Sequence, residues 1–153
     1  MYRVSQLQEE YKKKLITADK AASFVKNGDK IHFGFGCGNV VDIDKALAKR
    51  AKDLKDVTIY STVAIRNEPF ETFKATDSND QVRFVSAHFT ANDRLMNKEG
   101  RCWYMPILFQ ELPWLWNFND NAVDIAYFQV GPMDSHGNFN IGPQVADFWG
   151  VIK

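Results

Sequence analysis

From Gly34 to Asn39 the chain reads Gly-Phe-Gly-Cys-Gly-Asn, three glycines at alternate positions with a thiol and a carboxamide among them. Glycine lets a ligand come close to bare backbone, and a helix N-terminus behind such a turn offers N–H groups to an anion or a carbonyl. A dinucleotide site needs G-x-G-x-x-G and an acidic residue at the end of the next strand. Here the spacing is G-x-G-x-G, and the next strand-like run, Val57 to Thr62, ends without a carboxylate. No Gly-Lys-Ser/Thr follows for a phosphate loop either. The segment therefore reads as a loop that lines a ligand or presents backbone donors, with a purely structural turn as the plain alternative. Cys37 has no positioned base nearby in sequence, so it reads as a small packed thiol rather than a nucleophile.

The three histidines differ in context. His32 falls inside a strand and reads as an interior or sheet-face residue. His88 follows the apolar run Val82 to Ala87, where a strand-end loop would let it line a site. His136, in the turn Asp134-Ser135-His136-Gly137, has a similar claim. None has the spacing of a metal ligand set, so no protein-bound metal is expected. Ser61 or Ser135 with His88 or His136 makes a hydrolytic triad only on paper, for no G-x-S-x-G elbow is present. Glu68 and Glu111 read as structural or solvated carboxylates.

The elements that must position these residues follow from periodicity. Leu7, Tyr11 and Leu15 give one apolar stripe on a first helix. Thr17 caps a second helix expected over Ala18 to Lys26, stopped by Asn27-Gly28. A strand is expected over about 30 to 35, then a helix from Asp44 to Leu54 that buries Ile43, Leu47, Ala51 and Leu54. Strands follow at Val57 to Val63, Val82 to Ala87 and Val123 to Val130, the last the most apolar. Helices are expected near Glu68 to Lys74 and Gln110 to Asn117, the latter delayed by Pro113. Strands separated by helix-sized intervals predict an α/β fold, an open, mostly parallel sheet flanked by helices with its strand-end loops on one edge. The loop Gly131 to Pro143 is followed by only ten residues, so the chain reads as one incomplete domain over 1–153.

Composition narrows the classes. Lysine plus arginine equals aspartate plus glutamate at 19 each, which argues against broad capture of nucleic acid. No run approaches the roughly eighteen apolar residues of a membrane span. The N-terminus turns charged within ten residues, without the apolar core of a secretory signal. The two cysteines, Cys37 and Cys102, make no disulfide scaffold, and reduced thiols in a cytoplasmic protein are the simpler reading. The aromatic cluster from Trp103 to Phe118 lacks interleaved basic residues and reads as core or as a surface covered by more protein.

Four stretches taken in order carry a family likeness. They are Tyr11 to Ala21; Gly28 to Asn39 with Asp44-Lys45-Ala46-Leu47 behind it; Ser86 to Asp93; and Val123-Asp124-Ile125-Ala126 through Gly131 to Phe139. In these the whole chain resembles the N-terminal part of the acetyl-CoA hydrolase/transferase family, most closely its 4-hydroxybutyrate and butyryl-CoA:acetate CoA-transferase branch. The resemblance implies a CoA-transferase-like domain (NagB/RpiA/CoA-transferase-like) paired with a similar second domain. It implies transfer of CoA between an acyl-CoA and a short-chain carboxylate such as acetate. A glutamate attacks the thioester, giving an acyl-glutamyl anhydride and then a glutamyl-CoA thioester that the acceptor resolves. Coenzyme A enters as substrate, and no metal is involved. Gly36, Cys37, Gly38 and Asn39 would be the catalytic loop beside the thioester and its oxyanion, with Gly34, Phe35, His88 and His136 lining the substrate. The family's glutamate lies in the second half of the full polypeptide, so this chain alone is expected to be inactive. Its expected partner is that C-terminal half, as a second chain or a missing segment, within an oligomer of the full enzyme. An acetyl-CoA hydrolase component and a non-catalytic α/β interaction domain are the alternatives. A glycine loop filled by the chain itself would favour the latter.

Overall fold

A computed structural model describes residues 4–117 and 122–152. The β-branched and aromatic runs form five parallel strands: β1 (Lys30–Phe35), β2 (Val57–Thr62), β3 (Val82–Ser86), β4 (Cys102–Tyr104) and β5 (Ile125–Ala126). Their order is β4-β3-β2-β1-β5, and every neighbouring pair is parallel. The expected open parallel α/β sheet is present, with its strand ends on one edge as such crossovers require. In β1 the four central residues are all buried, as both faces of an inner parallel strand should be. Ile31, Phe33, Val57, Ile59, Val82 and Phe84 supply the middle of the core.

The helices are short. They are α1 (Val4–Lys14), α2 (Ala18–Ala22), α3 (Asp42–Ala48), α4 (Glu71–Ala75), α5 (Ala91–Lys98), α6 (Leu112–Leu115) and α7 (Val145–Val151). Thr17 caps α2 as expected, its hydroxyl accepting from the Lys20 amide at 3.1 Å. The helix stops at Ala22 instead of Lys26 because Arg50 donates to the carbonyls of both Ala22 and Val25, at 2.8 and 2.9 Å. The helix expected to run to Leu54 breaks at this arginine, whose backbone, with φ of −122° and ψ of 3°, is not helical. After α3 the chain makes only a short 3₁₀ turn at Ala51–Asp53. Leu47, Ala51 and Leu54 are still buried, whereas Ile43 is partly exposed.

Two elements escaped the periodicity. Helix α5 is announced by a capping box in which Asp93 accepts from both the amide and the hydroxyl of Thr90, each at 2.7 Å. Strand β4 begins the aromatic cluster. That cluster divides, with Leu112 and Trp116 buried while Trp103, Tyr104, Phe109 and Trp114 are exposed; Phe118 lies outside the described residues. The run Val123 to Val130 pairs as a strand only at Ile125 and Ala126, beside β1. Beyond them the Gln129 carbonyl accepts from the Gln144 side chain rather than from a strand. The long loop that follows folds on itself, with Asp134 accepting from the His136 and Asn138 amides at 2.8 Å. It also lies against α1, where Tyr11 meets Phe139 edge-on at 5.5 Å. Among the described residues no helix is long and apolar enough to cross a membrane.

Candidate functional site

The glycine loop begins where β1 leaves the sheet. Lys30, Ile31 and His32 pair in register with Thr58, Ile59 and Tyr60, then the register slips before Phe35 meets Thr62. In that slip Gly34 has φ of +77°, and its amide donates to His32 Nδ1 at 3.1 Å instead of to a strand. The Phe33 carbonyl also turns inward, accepting from the Val40 amide at 3.3 Å and from Asn39 Nδ2 at 3.0 Å. Asn39 Nδ2 donates a second time, to the Gly34 carbonyl at 3.0 Å. Both amide hydrogens of Asn39 are therefore spent on holding the loop, and its Oδ1 is the atom left without a partner. Gly36–Cys37–Gly38 forms a single 3₁₀ turn, whose first N–H groups have no partner within the turn.

The three glycines do different work. A Cβ at Gly34 would stand 2.7 Å from the Gly38 carbonyl oxygen and 3.1 Å from Gln144 Oε1. A Cβ at Gly38 would collide with the Gln144 side chain. These two are bare because the chain packs on itself there. Gly36 is buried too, but with φ of +59° its nearest neighbour to an added Cβ is Ile65 Cδ1 at 4.0 Å, so its bareness answers to backbone conformation rather than to crowding. Cys37 beside it is exposed, against the expectation of a packed thiol, because the 3₁₀ turn points it away from the core. Gln144 thus fills the inner face of the loop while the outer face stays open.

The open face borders a cavity of about 600 Å³ lined by Cys37, Asn39, Lys45, Ile65, Arg66 and Glu68 among others. Arg66 is fixed from below. Its guanidinium donates to the Val40 carbonyl at 3.0 Å and to Asp44 Oδ2 at 2.9 Å, and lies 4.4 Å over the Phe70 ring. Asp44 is buried and also accepts the Glu71 and Thr72 amides, each at 2.9 Å, which caps the start of α4. Glu68 and Glu71 both pair with Lys74, and those charge-assisted bonds lower the Glu68 carboxyl below its usual range. Neither Glu68 nor Glu111, which accepts from the Leu108 amide, is poised on the loop.

His88 is exposed and lines a separate cavity of about 160 Å³ with Thr62, Val63, Tyr104 and Phe109. Phe35 reaches the rim of that cavity through an edge contact with Phe109, ring centres 5.9 Å apart. Val63 has φ of +52°, a costly conformation for a β-branched residue, at the very end of β2. His136 is exposed on the self-folded loop, its Nδ1 3.3 Å from Ser135 Oγ. Among the described residues His88 and His136 share no hydrogen bond or ring contact with the glycine loop, and neither meets Ser61. No group of three metal-ligating side chains occurs among the described residues.

Sequence reasoning missed the residues behind the loop. His32 is fully buried, as an interior histidine should be, but its Nε2 lies 2.8 Å from Asp147 Oδ2 on α7. Gln144, just before that helix, is equally buried. Gln144 and Asp147 are more than a hundred positions from the loop in sequence, and no local pattern announces a contact at that range.

The N-terminal domain of the acetyl-CoA hydrolase/transferase family matches residues 1–152. The chain is 39% identical over 146 residues to the butyryl-CoA:acetate CoA-transferase of Anaerostipes caccae, covering 95% of this chain and 32% of that protein. It is 39% identical over 139 residues to a probable butyrate:acetyl-CoA coenzyme A-transferase of Syntrophomonas wolfei, covering 89% and 30%. The crystal structure of RipA from Yersinia pestis superposes with a TM-score of 0.75 at 24% identity, over 92% of this chain and 34% of that one. The chain spans about a third of the length of these relatives.

Proposed function

Because this chain belongs to the acetyl-CoA hydrolase/transferase family through its N-terminal domain, we propose that it supplies one wall of a CoA-transferase site, with Gly36 and Cys37 facing the acyl-CoA thioester. The observation that carries this is the open outer face of the loop. Cys37 is exposed and, with Asn39, lines a cavity of about 600 Å³ on the strand-end edge of a parallel sheet, while Gly36 beside it is buried with positive φ. Ligands of open α/β sheets bind at that edge.

The chemistry is exchange of CoA between an acyl-CoA and a short-chain carboxylate such as acetate, a reading supported by the names of the two bacterial relatives. A carboxylate nucleophile attacks the thioester carbonyl, expels CoA thiolate and leaves an acyl-glutamyl anhydride. The thiolate then attacks the glutamyl carbonyl of that anhydride and releases the carboxylate product. The acceptor acid resolves the glutamyl-CoA thioester in the reverse sense. The loop's contribution is electrostatic: backbone N–H groups of the 3₁₀ turn fixed in advance where the carbonyl oxygen gains charge. Gly34 and Asn39 hold the turn in shape, and Phe35 and His88 sit at the neighbouring cavity, whereas His136 stays on the self-folded loop with Ser135 and Asp134 as its partners. The nucleophile comes from outside residues 1–153, in a partner chain or a further segment. Among the acidic groups near the cavity, Glu68 and Glu71 are held by Lys74, and Asp44 is buried under Arg66.

Gln144 filling the inner face is the feature the non-catalytic reading asks for; the exposed Cys37 face, bordering the cavity, is the one it lacks. The test is an assay of CoA exchange from butyryl-CoA to labelled acetate. Exchange by the complete assembly and none by residues 1–153 alone supports the proposal. Exchange by residues 1–153 alone contradicts it, as does an assembly that binds no acyl-CoA. Free CoA released without an acceptor marks the hydrolase variant.

A further inference from the structure

We propose that His32 and Asp147 are positioning residues for the glycine loop, setting the direction of the Gly34 amide and, through it, the turn at Gly36 and Cys37. The inference rests on the reading of that loop as a wall of the transferase site. Its starting point is the fate of one N–H group. At Gly34 the backbone leaves the ladder with β2, and its amide donates to a ring nitrogen two residues back, His32 Nδ1, at 3.1 Å. A nitrogen that accepts a hydrogen bond carries no proton, so the neutral ring bears its proton on Nε2. Nε2 faces Asp147 Oδ2 at 2.8 Å and donates to it.

Asp147 fixes that tautomer. Were the proton on Nδ1, two N–H groups would face each other at Gly34, and an unprotonated Nε2 would face a carboxylate. The Thr62 hydroxyl, at the end of β2, donates weakly to the same oxygen at 3.4 Å as its second partner. The ring's orientation is set by an edge contact with Trp116 at 5.0 Å and a tilted one with Phe128 at 5.5 Å. Both His32 and Asp147 are 0% exposed, and Asp147 Oδ1 has no partner. Burying a carboxylate this incompletely satisfied is expensive, and an apolar pair of equal volume would hold the core at less cost. What the polar pair provides and an apolar pair would not is an acceptor of fixed direction for the Gly34 amide.

The other hand of the same device is Gln144, three residues before Asp147, whose carboxamide wedges between Gly34 and Gly38. The segment around the start of α7 therefore holds the loop at two points, through the His32 ring at the Gly34 amide and directly at the Gly34–Gly38 gap. A sub-ångström shift of the loop moves the N–H groups that meet the thioester oxygen, and misplacement on that scale is costly to rate but not to binding.

The experiment combines ring-nitrogen NMR on this chain with kinetics of the active transferase that contains it. In the wild type, ¹⁵N-histidine spectra at neutral pH are expected to place the His32 proton on Nε2; a proton on Nδ1 overturns the proposal. Asp147→Asn is expected to lower kcat about ten- to a hundredfold with KM for acyl-CoA within about twofold. His32→Asn, which keeps an acceptor near the Nδ1 position, is expected to retain more activity than His32→Leu. Equal losses in both His32 variants, or losses in step with thermal midpoint alone, overturn the positioning role in favour of a merely structural one. Wild-type kcat in a folded Asp147→Asn enzyme overturns it too. A wild-type assembly without CoA transfer overturns the functional reading alone, and the nitrogen spectrum still decides the dyad.

Discussion

At the scale of single residues, the loop's glycines separate into packing and backbone conformation. Gly34→Ala combines a left-handed φ with a Cβ at 2.7 Å from the Gly38 carbonyl, so it is expected to destabilise the fold by about 2 kcal/mol in urea unfolding. Gly36→Ala meets no atom closer than Ile65 Cδ1 at 4.0 Å and is expected to cost only about 1 kcal/mol, through its positive φ. The spacing of these glycines was legible in the sequence; their division of labour was not, because Gln144 arrives from more than a hundred residues away. One buried acid and one half-buried acid shape the alkaline limit. Burial, with a smaller push from Asp93, raises the Cys102 thiol from 9.0 to about 12. Burial, then Asp29, raises the Tyr127 hydroxyl from 10.0 to about 12, and that hydroxyl donates to the Ala21 carbonyl at 2.8 Å. In each case the unfolded chain releases its proton first, so stability is fully present below about pH 9 and falls as pH rises toward 12. Urea midpoints measured from pH 8 to 11 should decline, and less steeply in Cys102→Ala.

At the scale of elements, a few buried polar side chains set the boundaries that periodicity left vague. Arg50 ends α2 by collecting two carbonyls of that segment, Ala22 and Val25. Asp44 joins α3 to α4, accepting two helix-start amides and the Arg66 guanidinium. Replacing it by alanine removes the cap and leaves Arg66 without its counter-charge. The expected loss is about 3 kcal/mol, together with a Cys37 cavity whose Arg66 wall is no longer fixed. Asp44→Asn, which can still accept the amides, should cost less; equal losses in the two variants would deny the ion pair its share. The strands were the most legible elements. β1 to β3 match their apolar runs within a residue, since alternation and β-branching report burial locally. β5 was over-read, because an apolar run says only that a segment is buried or covered, not that it pairs over its full length.

At the scale of the whole molecule, the parallel sheet and its strand-end edge follow from the order of strands and helices, and the family match agrees with the likeness carried by Tyr11 to Ala21, Gly28 to Asn39, Ser86 to Asp93 and Val123 to Phe139. The polar bridge from α7 to the glycine loop is a tertiary fact without a local signature. Exposed Phe109, Trp114 and Trp149 add large apolar surface on the described domain, which spans about a third of the length of its curated relatives. The central claim, that the Gly36–Cys37 face meets the acyl-CoA, has a direct probe in the chain's own two thiols. Cys37 is exposed in the loop, and Cys102 is buried in β4 as an internal control. Alkylation of each thiol in the active assembly can be followed by mass spectrometry with and without saturating butyryl-CoA. The account predicts that acyl-CoA slows labelling of Cys37 at least severalfold and leaves Cys102 unreactive throughout. Labelling of Cys37 at an unchanged rate in an enzyme saturated with acyl-CoA would contradict it.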